Sequence, residues 1–65
     1  MLDNSYRFWI VLARYHDCSA RNFAYHIAKA VAKHGGAFPS DTRLFAHHLE
    51  QREIALANAI GWTSR

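Results

Sequence analysis

Histidine and cysteine side chains are the residues of this 65-residue sequence that could bind a metal ion. Zinc sites use such side chains, usually as one close pair with a second pair elsewhere. The candidates are His16, Cys18, His26, His34, His47 and His48. His16 and Cys18 would point to opposite sides of a helix, and His26 and His34 would lie about 12 Å apart along one. The spacing therefore predicts no metal site.

A thiol with a neighbouring base is the second kind of chemistry to consider. His16, Asp17 and Cys18 supply the side-chain types, but nucleophilic catalysis also needs a thiol within hydrogen-bond reach of its base and a pocket for substrate. The sequence has no glycine-rich phosphate loop, no Gly-x-Ser-x-Gly turn and no paired carboxylates in a plausible cleft. We therefore expect no enzyme activity, no catalytic residue and no cofactor, with Cys18 on the polar side of a helix.

A row of basic residues forms the first candidate binding surface. Arg7, Arg14 and Arg21 recur at seven-residue steps, which drift by only about 20° per step around a helix. Lys29 and Lys33 extend the row to roughly 40 Å. Such a row is often only a solvated face. Its functional interpretation is a surface for nucleic-acid phosphates or for an acidic partner, in keeping with the net charge of +3.

Large apolar residues outside the predicted core indicate a second candidate surface, for self-association or for a protein partner. They are Ile10, Val11, Tyr15, Ile54 and Trp62. A monomer of this size rarely exposes so many large apolar groups. We therefore expect them to contact a second copy or another protein.

Two polar residues interrupt the predicted apolar stripes, and we assign them to the same surface. His16 lies among apolar positions of the first helix, and Arg52 lies among those of the second. One interpretation of His16 is a core histidine bonded to a neighbour. The sharper hypothesis is that His16 and Arg52 fix the register of a helical assembly, as buried polar residues do in coiled coils.

The elements that position these residues are two helices around one turn. Gly35 and Gly36 can end a helix, and Ser40 or Asp41 can cap the next. Apolar positions keep one helical phase over residues 7–34 and again over the second half. We predict an all-α helical hairpin with a first helix from about residue 5 to 34, a break being allowed near 16–19, and a second from about 41 to 60. The predicted core is Phe8, Leu12, Phe23, Ile27, Phe45, Leu49, Leu56 and Ile60.

One alternative to a helix stays open for residues 6–15. This stretch is aromatic and contains adjacent Ile10 and Val11, which suit a strand. A single strand has no partner within the chain, so it would pair with a second copy, as in ribbon-helix-helix dimers. Short apolar runs do not decide between the two by periodicity alone.

Chain length predicts self-association. Residues 1–65 form a single small helical domain, and a domain of this size buries only about 60% of its unfolded surface. The lone Cys18 excludes an intrachain disulfide. A homodimer that forms a helical bundle would supply the missing burial.

These observations predict a non-enzymatic regulatory or interaction protein that binds a larger protein. The alternative is a small basic nucleic-acid-binding module that uses the arginine row. No signal peptide or membrane span is recognisable, and the free thiol suits a reducing interior, so we expect a cytoplasmic protein without membrane contact.

Overall fold

The computed structural model of the chain consists of two antiparallel helices joined by a short turn. It describes the backbone of residues 2–63 and the side chains of residues 6–62. Helix α1 spans Leu2–His34 and helix α2 spans Pro39–Thr63. No strand occurs within residues 2–63, so the helical hairpin is confirmed and the strand alternative for residues 6–15 is wrong. The break allowed near residues 16–19 is absent, because α1 runs through it without interruption.

The end of α1 depends on one glycine. Gly35 has a φ of +80°, in the left-handed region that glycine adopts without a steric penalty. Its amide donates a hydrogen bond to the carbonyl of Val31 at 2.9 Å. His34 stands in the last turn, where a positively charged side chain is favoured by the negative end of the helix dipole.

Helix α2 begins two residues earlier than the predicted boundary. Pro39 is its first residue, a position at which the missing amide hydrogen would have no partner in any case. Phe38 occupies the cap position, since its carbonyl accepts the first helical hydrogen bond from the amide of Thr42 at 3.1 Å. Asp41, one of the two predicted caps, lies instead within the first turn, where a carboxylate faces the positive end of the dipole.

The line of contact between the helices, which we call the seam, combines buried alanines and polar residues with half-buried large side chains. The buried residues among those described are Ala13, His16, Ala20, Ala30, Ala55 and Ala59. The seam positions alternate three and four residues apart, which is the spacing of a coiled-coil contact. They are Ala13, His16, Ala20, Phe23, Ile27 and Ala30 on α1, and Phe45, His48, Arg52, Ala55, Ala59 and Trp62 on α2.

The predicted core is wrong in part. Phe8, Leu56 and Ile60 are exposed, by 56%, 37% and 64% of their surface. The other five predicted core residues are half-buried. Alanine allows two helix backbones to approach closely, and the large side chains beside the alanine positions are covered only in part. No large side chain among the described residues is fully buried.

The hairpin is long and thin. Its extents are 48 × 14 × 13 Å and its radius of gyration is 14.8 Å, against about 11 Å for a compact domain of this length. Its accessible surface is 4933 Å². Among the described residues, neither helix carries an apolar segment sufficient to cross a bilayer.

Candidate functional site

A cluster of histidines joins the two helices at the middle of the seam. The Nδ1 atoms of His16 and His48 lie 2.8 Å apart in a hydrogen bond, so one ring donates and the other accepts. The ring of Phe23 stacks on His48 with a centroid distance of 5.7 Å. Tyr15 packs edge-on against His16 at 5.0 Å. The cluster is enclosed by aromatic rings and fixes one position of α1 against one position of α2.

The electrostatic surroundings of His16 favour its neutral form. Burial lowers the pKa of His16, and the nearby His48 and His47 lower it further. A positive charge on the ring would be poorly solvated and would face two other histidines. The lowered pKa of His16 thus disfavours a second proton on the ring that bonds to His48.

One helical turn further along α2, an ionic network also crosses the seam. The Nη1 atom of Arg52 donates to Oδ1 of Asp17 at 2.8 Å, and Nε of Arg21 lies 3.1 Å from the other oxygen of that carboxylate. Nη2 of Arg52 reaches Oε1 of Glu53 at 3.3 Å. The hydrogen bond to Asp17, then that to Glu53, raises the pKa of Arg52. The Nε atom of Arg52 is buried and has no hydrogen-bond partner in the described part of the chain.

Both polar residues that the sequence places in the apolar stripes thus bridge α1 to α2 within one chain. His16 and Arg52 each form a hydrogen bond to the opposite helix of the same hairpin, and the side chain of Arg52 is also 32% exposed. Their role in fixing register stays a hypothesis. The contacts indicate that the register concerned is that of α1 against α2 within one hairpin. The contact between Asp17 and Arg52 was not predicted from the sequence, because the two residues lie 35 positions apart.

A groove runs beside the seam in the half of the molecule remote from the turn. It has a volume of about 420 Å³ and is open to solvent on one side. Its lining residues are Ile10, Ala13, Arg14, Asp17, Arg52 and Leu56. Ala13 is 5% exposed and forms the floor, while Ile10 and Leu56 supply apolar walls from opposite helices. We call this feature the Ala13 groove.

The remaining predicted interface residues lie at several places. Val11 and Tyr15 are exposed by 64% and 58% on the outer side of α1, together with Phe8. We call Phe8, Val11 and Tyr15 the outer stripe. Ile54 is 44% exposed on α2, and Trp62 is half-buried at the last seam position. Ile10 belongs to the Ala13 groove, so these residues do not form one continuous patch.

The basic row falls into two groups, because the two lysines do not continue the seven-residue spacing of the three arginines. Arg7, Arg14 and Arg21 are exposed along one side over about 21 Å. Lys29 and Lys33 line a different groove near the turn, together with His26, His34, Phe38 and Asp41. Arg21 is engaged with Asp17, and the Nζ atom of Lys29 lies 5.3 Å from the ring centroid of Tyr25.

Within residues 6–62, no group of three or more His, Cys, Asp or Glu side chains is placed to hold a metal ion. His16 bonds to His48, whereas Cys18 is exposed.

Comparison of the chain with protein-family models, with curated proteins and with solved structures finds no match.

Proposed function

We propose that this protein is a non-enzymatic interaction protein, a homodimer that regulates a larger protein by binding its surface. The observation that carries the proposal is the placement of the large apolar side chains. The buried residues of the seam are alanines and His16, and among residues 6–62 eleven large apolar or aromatic side chains are exposed. Such a distribution is typical of chains that complete their core with a partner.

The accessible surface supports self-association quantitatively. A folded monomer of 7.5 kDa is expected to expose about 4,200 Å². The hairpin exposes 4933 Å², an excess of roughly 700 Å² over that expectation. A standard protein interface buries about 800 Å² on each partner. One such interface would give the hairpin the burial that is usual for its size.

Support for a second, larger partner comes from apolar groups on more than one side. The Ala13 groove and the outer stripe lie on different sides of α1, because residues 10 and 11 are separated by about 100° around the helix. A contact centred on one of these features leaves the other available to a second partner. The exposed Cys18 is compatible with action in a reducing compartment such as the cytoplasm.

The first test is the solution mass, measured by light scattering at low and high salt, with a random DNA duplex added in a parallel run. A dimer that ignores the duplex is the expected result. The larger protein would then be sought by affinity capture with the wild-type chain as bait. Val11→Asp, which alters the outer stripe, would be the comparison bait. A well-folded monomer at all concentrations would contradict the proposal.

Nucleic-acid binding is the second candidate function, and one observation favours it. Arg7, Arg14 and Arg21 are exposed on one side of α1 in an evenly spaced row. Arginine forms bidentate contacts with phosphate, and a dimer would double the number of arginines. Co-elution with the duplex that weakens steeply between 50 and 200 mM salt would support this function, because contacts to phosphates release counterions.

A further inference from the structure

We infer that the Ala13 groove is the surface on which a second copy of the chain docks, with Arg14 of each copy placed against Glu53 of the other. The inference rests on the proposed homodimer and assigns its interface. It selects one side of the hairpin among several that carry apolar residues.

The shape of the groove suits a symmetric contact. Its floor is an alanine, and its walls are Ile10 and Leu56 from the two helices. No side chain of the same hairpin fills it, and it lies beside buried Ala13 and Ala55 of the seam. A twofold contact uses the same patch on both copies. The apolar walls of one copy can therefore enter the groove of the other.

Two charged side chains of opposite sign beside the groove lie at the same position along the helix axes. Arg14 lines the groove together with Arg52. Glu53 accepts a hydrogen bond from that same arginine at 3.3 Å, and its side chain is 69% exposed. An exposed cation on α1 and an exposed anion on α2 thus stand at the same height, one on each helix.

A twofold axis parallel to the helices turns this arrangement into charge complementarity. Such an axis places α1 of one copy over α2 of the other without changing its height. Arg14 then meets Glu53 of the second copy, and the same pair forms a second time. Every neighbouring pair of helices in the resulting four-helix bundle is antiparallel, as in the common up-down bundles.

Area and charge both favour a second copy over an acidic peptide as the occupant. The hairpin exposes roughly 700 Å² more than expected for its mass, which is close to the area of about 800 Å² that each partner buries in a stable dimer. Asp17 lines the groove and already engages Arg21 and Arg52, and Glu53 adds a second carboxylate beside it through its bond to Arg52. A negatively charged peptide would therefore meet little unpaired positive charge there.

A charge exchange tests the pairing directly. Arg14→Glu and Glu53→Arg each place like charges together twice per dimer, and we expect each to raise the dimer dissociation constant about tenfold or more. The double variant restores opposite charges and should return the constant to within about threefold of the wild-type value. Arg43→Glu, an exposed arginine on α2 outside the groove, is the matched control and should leave dimerisation unchanged. Dissociation constants come from sedimentation equilibrium, with helix content checked by circular dichroism.

A pair of apolar variants tests the groove independently of its charges. Leu56 and Ile54 are 37% and 44% exposed, and they point to opposite sides of α2 because two residues turn a helix by about 200°. Leu56→Asp should abolish the dimer at micromolar concentration, whereas Ile54→Asp should preserve it.

The outcomes separate the two proposals. If Ile54→Asp disrupts the dimer and Leu56→Asp does not, or if the double charge variant fails to recover, the groove is the wrong interface and the homodimer still stands. A wild-type protein that stays monomeric at every concentration overturns both. If Leu56→Asp unfolds the hairpin, the recovery of the double charge variant alone decides whether the Ala13 groove is the dimer interface.

Discussion

At the scale of single residues, the contact between His16 and His48 makes the hairpin sensitive to acid. Two Nδ1 atoms 2.8 Å apart share one hydrogen, so one of the two rings must present an unprotonated nitrogen. Burial, His48 and His47 all lower the pKa of His16 in the folded chain. When the pKa of a histidine is lower in the folded chain than in the unfolded chain, its contribution to stability is fully present above the pKa of the unfolded chain. This contribution is lost as the pH falls through the pKa of the folded chain.

We therefore expect the free energy of unfolding to decrease as the pH falls from 7 towards 5. Urea denaturation at several pH values measures it. His16→Gln should show a smaller decrease than the wild type, because the glutamine does not titrate. His26→Gln, which replaces an exposed histidine of the same helix, is the matched control. Equal pH dependence in the wild type and in His16→Gln would show that the seam histidines do not cause the decrease.

At the scale of the helices, the close approach of α1 and α2 depends on small side chains at repeating positions. Ala20 is 2% exposed and faces α2, so Ala20→Leu forces extra atoms into the seam. Overpacking of this kind costs about 1–3 kcal/mol in other cores. Ala28→Leu adds the same atoms to an exposed position of α1 and should change stability by less than about 0.5 kcal/mol. Denaturant midpoints distinguish the two, and similar losses in both variants would mean that the seam is not tightly packed.

The sequence carried enough information for the two helices and the turn but not for the seam. The turn follows from Gly35, since a left-handed residue there is best supplied by glycine. The core was predicted from large apolar residues, which placed Phe8 and Ile60 inside. Alanine is weakly apolar and gave little signal, although Ala13, Ala20 and Ala30 follow the three- and four-residue spacing. That spacing, read without regard to side-chain size, could have located the seam.

The allowed break near residues 16–19 shows why local preference was a poor guide in α1. Asp17 and Ser19 are weak helix formers, and this favoured an interruption. In the fold, Asp17 is bound by Arg21 one turn away and by Arg52 of α2. Such contacts, with packing along 33 residues of helix, outweigh propensity differences of a few tenths of a kcal/mol per residue. Contacts between positions so distant in sequence could not be read from local pattern.

At the scale of the whole molecule, folding and dimerisation should be one linked process. A thin hairpin with no fully buried large side chain among its described residues has little stability of its own. Partner binding adds stability in proportion to the logarithm of concentration. The thermal midpoint should therefore rise as protein concentration increases.

We expect this rise to be several degrees between 5 and 500 µM, since about 1 kcal/mol shifts the midpoint of a domain this small by roughly 4–8 °C. Differential scanning calorimetry across that range measures it. Leu56→Asp should melt at a lower temperature that no longer depends on concentration, because its hairpin has lost the apolar wall of the Ala13 groove. A wild-type midpoint that is independent of concentration would indicate that the hairpin is stable alone, and that the exposed apolar side chains serve only a different partner.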